Sequence, residues 1–194
     1  GKYYVSGSFR RDGSSRLSRD SRWGNFWSVS GSWRLSQEAF MESLSNVITD
    51  AKIRASYGVN GTQPKDYYGY MGVYEFGYNY NGNGGSSEAR FYNPSLKWEK
   101  NYATNIGIDL TLFNRLTVSA EWYNRETKDL LMDKPISAAV GVINSSGVAN
   151  MLVNVGSMRN RGFELELKST NIQNKDLLWT TSLNIGHNKN KLTD

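Results

Sequence analysis

The segment Asn101–Leu112, NYATNIGIDLTL, alternates without a break. Its even positions are Tyr102, Thr104, Ile106, Ile108, Leu110 and Leu112; its odd positions are Asn101, Ala103, Asn105, Gly107, Asp109 and Thr111. Side chains alternate across an extended strand, so this segment carries one apolar and one polar face. The next segment repeats the design, with Leu116, Val118, Ala120 and Trp122 set against Thr117, Ser119, Glu121 and Tyr123. Only Phe113–Asn114–Arg115 separates the two, a connection short enough for a hairpin.

Working outward, five further segments alternate in the same way. Tyr3, Val5, Gly7 and Phe9 share one parity, as do Val29, Gly31, Trp33 and Leu35. Ala51, Ile53, Ala55 and Tyr57 follow, then Phe163, Leu165 and Leu167, then Trp179, Thr181, Leu183 and Ile185. The pattern predicts about seven strands joined as an antiparallel meander. Between strands two and three, Phe40, Leu44, Val47 and Ile48 share a helical face behind a Ser36 cap, which predicts one short helix at Gln37–Ser45.

Connection length alternates as well. Phe113–Arg115 and Ser169–Asp176 are short, whereas the connections after Arg11, Gly58 and Leu131 are long. Short turns at one end and long loops at the other are the asymmetry of an outer-membrane barrel. Alternation alone also suits a soluble sandwich. Strands of ~10 residues, rising ~3.3 Å each and tilted ~40°, cover the ~25 Å lipid band of such barrels. Tyr3, Trp33, Tyr57, Trp122 and Trp179 sit near strand ends, where an interfacial girdle would place aromatics. The fold class read from these features is all-β, an antiparallel up-and-down transmembrane β-barrel segment.

Composition excludes much else. The 194 residues contain no Cys and one His, so disulfide scaffolds, thiolate nucleophiles and cysteine-based metal sites are ruled out, and no cofactor or metal is expected. No apolar run approaches a spanning helix; the longest, Ala138–Ile143, is interrupted by Gly141. Six Trp and twelve Tyr argue against disorder. The net charge of +5 is spread along the chain apart from the arginines of Arg10–Arg22, so no nucleic-acid partner is expected. The chain opens on Gly1 and stops at Asp194 in mid-pattern, which reads as an excerpt of a longer protein.

Seven stretches resemble, in order, the SusC/RagA-type TonB-dependent transporters of Bacteroidota outer membranes. They are Arg10–Arg16 (RRDGSSR), Ser28–Arg34 (SVSGSWR), Ile53–Pro64 (IRASYGVNGTQP), Asn93–Lys100 (NPSLKWEK), Thr104–Leu110 (TNIGIDL), Tyr123–Leu131 (YNRETKDLL) and Asn154–Leu167 (NVGSMRNRGFELEL). The resemblance implies a 22-stranded plugged barrel, of which residues 1–194 would be a partial wall, the plug and remaining strands being absent. It further implies active import of a glycan or peptide, with a SusD-like surface lipoprotein and, through the plug, the TonB complex as partners. Outer-membrane lipid would surround the wall. Where the family often has Thr-Gly-Asn-Gln, this chain has Val59–Asn60–Gly61–Thr62–Gln63. The motifs are structural, so no functional residue carries over from them. The rival readings are a passive porin-like channel and a soluble β-rich glycan-binding or adhesin module; an enzyme is not expected.

Candidate contacts come from the residues themselves. The Gly61–Leu96 connection carries Tyr67, Tyr68, Tyr70, Tyr74, Tyr78 and Tyr80, with Phe76, Phe91 and Tyr92, among glycines and amides. Ring faces stack on sugars or peptides while amides and phenols hydrogen-bond them, so this segment is expected to meet oligosaccharide or peptide substrate, or a lipoprotein lid. Packing upon itself is the plainer alternative. Arg54, Asp109, Glu121, Glu164 and Glu166 are expected to face the lumen as wall charges, with Lys168 beside the last two. Gly82–Asn83–Gly84–Gly85 reads as a flexible turn, because no hydrophobic strand feeds it and no helix follows. His187 reads as a rim residue. The sequons at Asn60 and Asn144 carry no weight in a bacterial chain.

Overall fold

The computed structural model describes residues 1–140 and 150–193. Seven long strands form one antiparallel sheet. They are β1 (Tyr3–Gly13), β2 (Trp23–Arg34), β3 (Ile48–Thr62), β6 (Glu99–Leu112), β7 (Leu116–Lys128), β10 (Ser157–Gln173) and β11 (Leu178–Leu192). Their lateral order follows the chain, as in an up-and-down wall. Two small hairpins stand apart from it: β4 (Val73–Tyr80) with β5 (Asn83–Arg90), and β8 (Leu131–Pro135) with β9 (Asn150–Asn154).

Register confirms the parity read from the sequence. Tyr3, Trp33, Ile53, Ile108, Ala120, Leu165 and Ile185 are mutual partners, one from each strand, in a single apolar row. A second row aligns Ala51, Leu110, Val118, Leu167 and Leu183. What covers this face decides between sandwich and barrel; among the described residues no second sheet packs on it, and of its members only Ala51 and Val59 are buried. Val5 and Phe9 are 83% and 71% exposed. The buried apolar cluster of Leu17, Phe26, Leu96 and Trp98 gathers residues of the long connections and the strand ends beside them. Six strand spacings of ~4.8 Å by three row spacings of ~6.6 Å leave an uncovered apolar area on the order of 600 Å², at the upper end of what soluble monomers expose.

The apolar band does not run along the register rows. On β1 the apolar run, Tyr3 to Phe9, lies wholly on the long-loop side of the seven-membered row. On β11 it lies wholly on the short-turn side, from Trp179 to Ile185. The midpoints, Ser6 and Ser182, stand three residues to either side of the row, a drift of six residues over six strand-to-strand steps. One residue per strand, ~3.3 Å per ~4.8 Å, is an inclination of about 35°. Strands of transmembrane barrels tilt by ~35–45°, so the drift is what a level lipid band looks like on tilted strands.

Connections differ from their sequence reading in three places, and the β6–β7 hairpin stands as read. The β10–β11 turn is shorter than Ser169–Asp176: β10 continues past a bulge at Thr170–Ile172 and pairs down to Gln173 and Leu178. Phe113 and Asn114 turn the β6–β7 hairpin with both φ at 53°, and Arg115 N donates to Leu112 O at 3.0 Å. The helix expected at Gln37–Ser45 is two 3₁₀ segments, Leu35–Gln37 and Ala39–Leu44. Ser36 caps nothing; its hydroxyl donates to Asp50 Oδ1 at 2.9 Å, which draws it away from the helical backbone. The Gly61–Leu96 connection is not structureless: β3 runs to Thr62, and Asn81 and Gly82, at φ 51° and 83°, turn the β4–β5 hairpin. A strand therefore does feed the glycines, and Asn83–Gly85 belong to β5.

Aromatics flank the band. Tyr3 stacks on Trp33 at 6.1 Å and Trp33 meets Phe40 edge-on at the short-turn end, while Trp27 meets Tyr57 at 5.5 Å toward the loops. Glu38, between the two 3₁₀ segments, accepts hydrogen bonds from Tyr3 Oη (2.7 Å), Trp33 Nε1 (3.1 Å) and Lys2 Nζ (3.1 Å). These donors, Tyr3 foremost, hold its carboxyl at about 2.

Two outcomes are expected. Ile108→Arg, near the middle of the band on β6, should cost ~2–4 kcal/mol on refolding into lipid vesicles, and Asn105→Arg on the opposite face far less. Because the folded Glu38 carboxyl is depressed, its contribution is present above its ordinary value near 4.5 and is lost as pH falls toward 2. Unfolding titrations should show that acid-side loss in the parent and its absence in Glu38→Gln.

Candidate functional site

The face opposite the apolar band holds the charges that alternation set aside. Register places Arg54, Gly107, Glu121 and Glu164 in one row across β3, β6, β7 and β10. The adjacent row holds Lys52, Asp109, Ser119 and Glu166. All five expected wall charges thus fall within two neighbouring rows of four strands.

Arg54 organises them. Its guanidinium passes over β6 to pair with Glu121 on β7, and its Nε lies 3.3 Å from Asp109 Oδ2. Lys52 Nζ also reaches Asp109 at 3.3 Å, and Ser119 Oγ donates to the same carboxylate at 2.7 Å. The crossing depends on Gly107, where a Cβ would stand 2.7 Å from Arg54 Cζ. Glu166 pairs with Lys168 at 2.7 Å. Glu164 stands directly opposite Glu121, so Arg54 also offsets the repulsion between two carboxylates at adjacent positions. Next to this network the sheet is concave, with a cavity of ≈ 530 Å³ lined by Tyr4, Ser6, Ser32, Lys52, Arg54 and Asn105. Among the described residues no cluster of His, Asp and Glu could hold a metal ion.

Gly162, inside the NRGFELEL stretch, serves a related end. It lies between Tyr123 and Asn188 in register, and a Cβ there would approach Tyr123 Oη to 2.7 Å and collide with the His187 carbonyl. The phenol of Tyr123 therefore lies over the bare backbone of β10. His187 itself stands on the apolar-band side, its ring 5.8 Å from Phe163, at the end of the band.

At the long-loop end three connections are tied together by the residues of the family-like motifs. Trp98 Nε1 donates to Arg22 O at 3.0 Å, and Ser18 Oγ to Pro94 O at 2.9 Å. Asn93 Nδ2 donates to Leu152 O at 2.8 Å, and Asn154 Nδ2 to both Lys97 O and Asp129 O at 2.9 Å. The NPSLKWEK stretch thus sits in the middle of the loop cluster. Sequence reasoning identified the motif without assigning it this task, because partners 57–76 residues away leave no local signal.

This base divides the candidate tyrosines. Tyr70 packs against the buried cluster of Leu17, Phe26, Leu96 and Trp98. Tyr67, Tyr68 and Tyr74 are 67%, 59% and 63% exposed. Tyr67 lies under the Arg16 guanidinium, 4.3 Å from its ring, and that guanidinium also donates to Pro64 O at 2.9 Å. Tyr74 and the 85% exposed Phe76 project from β4, and Tyr78 follows beyond the bulge at Gly77. The side chain of Tyr80 and the sequon at Asn144 lie outside the described residues.

Comparison with known proteins agrees with this geometry. The profile of the TonB-dependent receptor-like β-barrel matches residues 1–193. TonB-dependent receptor P39 of Formosa agariphila is 38% identical over 194 residues, covering 100% of this chain and 18% of that protein. TonB-dependent receptor SusC of Bacteroides thetaiotaomicron is 34% identical, covering 99% and 19%. The RagAB peptide importer in its closed-closed state superposes with a TM-score of 0.87 at 32% identity, over 99% of this chain and 20% of that one. The siderophore receptor PirA of Pseudomonas aeruginosa, 14% identical with a TM-score of 0.62, shares the fold. The chain spans about a fifth of the length of the curated relatives it matches.

The Arg54–Glu121 pair can be measured directly. A double-mutant cycle with Arg54→Met and Glu121→Gln should return a coupling of about 1 kcal/mol, since both side chains are partly solvated. Unfolding in detergent is the readout.

Proposed function

The chain belongs to the TonB-dependent receptor-like β-barrel family, and on that premise we propose that it is a wall segment of an outer-membrane active importer of glycans or peptides. The observation that carries this reading is the inclined, uncovered apolar band backed by a charged and hydroxyl-rich face: a lipid-facing wall around a wet lumen. Residues 1–194 would supply seven strands of that wall, with Arg54, Asp109, Glu121, Glu164 and Glu166 turned inward. The plug and the other strands would come from the rest of the protein. Energy would enter through the plug from the TonB complex, and a SusD-like lipoprotein would cover the loop end. The RagAB relative is described as a peptide importer, which favours oligomeric substrates over small ions.

In this reading Tyr67, Tyr68, Tyr74 and Tyr78 meet the ligand or the lipoprotein lid. Tyr70 braces the base from which they project. Exposed aromatic rings held on a hydrogen-bonded base need little ordering before they stack, which suits recognition of sugar or peptide faces.

The full-length protein with Tyr67→Ala and Tyr74→Ala tests the assignment. Uptake of labelled oligosaccharide or peptide by intact cells should fall several-fold at unchanged barrel assembly if the rings touch ligand. Lipoprotein co-purification should fall if they touch the lid. Normal uptake and normal co-purification would leave the rings with no role in import. Uptake by the parent that survives collapse of the inner-membrane energy supply would reduce the protein to a passive channel.

A further inference from the structure

The charged residues on the apolar-band face are distributed unevenly. By register parity the face carries Arg11, Lys100, Glu126, Lys128, Arg159, Arg161, Lys189 and Lys191. Every one lies beyond the band at the long-loop end, and seven of the eight are cations. At the short-turn end the same face shows Ala51, Leu112, Leu116, Ile172 and Trp179.

The cations are also badly placed for a bare surface. Arg161 is the direct register partner of Lys189, Arg159 of Lys191, and Lys100 of Lys128. Like charges directly opposite on neighbouring strands destabilise a sheet. Glu126 is the one acid among them, 3.5 Å from Arg159 Nη2 and 3.9 Å from Lys128 Nζ. The Arg11 guanidinium lies over Trp23 and the Lys128 ammonium near Tyr102, at 5.0 and 5.5 Å. Those contacts hold cations in place without neutralising them.

Height completes the picture. Arg161 and Arg159 stand two and four residues beyond Phe163, the last apolar position on β10. At ~3.3 Å per residue and about 35° of inclination they lie ~5 and ~11 Å above the hydrocarbon edge, the depth of lipid headgroups. Lys189, the register partner of Arg161, lies between those two levels once the drift of one residue per strand is applied.

We propose that the outer rim of β6, β7, β10 and β11 binds phosphate groups of anionic lipid headgroups in the leaflet on the long-loop side. The occupant follows from charge complementarity and from continuity with the lipid-facing band. A phosphate between Arg161 and Lys189, or between Arg159 and Lys191, turns a repulsive cross-strand pair into two charge-assisted hydrogen bonds, and arginine takes phosphate bidentately. Long side chains rooted at the band edge reach the headgroup layer while their stems stay in apolar surroundings. The inference rests on the outer-membrane reading above, with the long loops outside.

The test uses the full-length protein and its Arg159→Gln, Arg161→Gln, Lys189→Gln, Lys191→Gln quadruple variant. Both are extracted from outer membranes, stripped of lipid in detergent and titrated with lipid A, with dephosphorylated lipid A and with inorganic phosphate. Lipid A should raise the unfolding temperature of the parent at concentrations about tenfold or more below those needed for the variant, while the dephosphorylated lipid has little effect on either. The parent titration alone keeps the inference falsifiable if the variant assembles poorly. Equal responses to lipid A and its dephosphorylated form would overturn it. Inorganic phosphate matching lipid A would reduce the rim to a general anion site, and loss of lipoprotein co-purification with unchanged lipid response would assign it to a protein partner; either result overturns the proposal. Absence of the parent from the outer-membrane fraction would overturn the barrel reading itself.

Discussion

Every structural property of this chain descends from one constraint: the lateral hydrogen bonding of seven strands in an unbroken antiparallel register. Once Ile53, Ile108, Ala120, Leu165 and Ile185 are mutual partners, all the residues of that parity lie on one face and all the others on the opposite face. A one-residue slip in any strand would put leucines beside Arg54 and glutamates into the apolar band. The penalty for such a slip is large on both faces at once. The register is therefore held by side chains as well as by backbone.

Tilt follows from that register. The apolar run climbs by one residue per strand, so a band level with the membrane crosses the strands at about 35°. The two ends of each strand then meet different surroundings. At the short-turn end, Tyr3, Trp33 and Phe40 gather around Glu38, whose carboxylate collects three donors. At the loop end a small cluster of Leu17, Phe26, Leu96 and Trp98 gives the long connections a base of their own. The loops thus have two layers. A packed base, which includes Tyr70, carries the exposed rings of Tyr67, Tyr68, Tyr74 and Phe76.

The charged face shows how glycine and charge are used together. Gly107 lets the Arg54 guanidinium cross one whole strand to reach Glu121, and Gly162 accepts the phenol of Tyr123 over bare backbone. In both cases a residue with no side chain is what allows a long one to lie across a neighbouring strand. These positions fall inside the TNIGIDL and NRGFELEL stretches. The motifs that mark the family are in this sense instructions for packing a wall, and the NPSLKWEK stretch is the instruction for tying its loops.

Alternation, turn chemistry and loop length were sufficient to read seven strands and their parity from the sequence, because a strand's two faces are set by the spacing of two within a local segment. The Asn81–Gly82 turn was equally local and was there to be read: both residues adopt positive φ, as a two-residue hairpin requires. The 3₁₀ form of the Ala39–Leu44 segment was less legible, since Ser36 is drawn away by Asp50, fourteen residues on. What tertiary structure alone decided is everything that depends on which residues of different strands stand opposite one another. The sequence shows that Arg54, Glu121 and Glu164 share a parity; only the register shows that they share a row, and that Arg161 faces Lys189 and Arg159 faces Lys191. Parity is a property of one strand, whereas a row is a property of seven, and its members, Tyr3 to Ile185 at the extremes, are separated by up to 182 residues that local pattern cannot bridge.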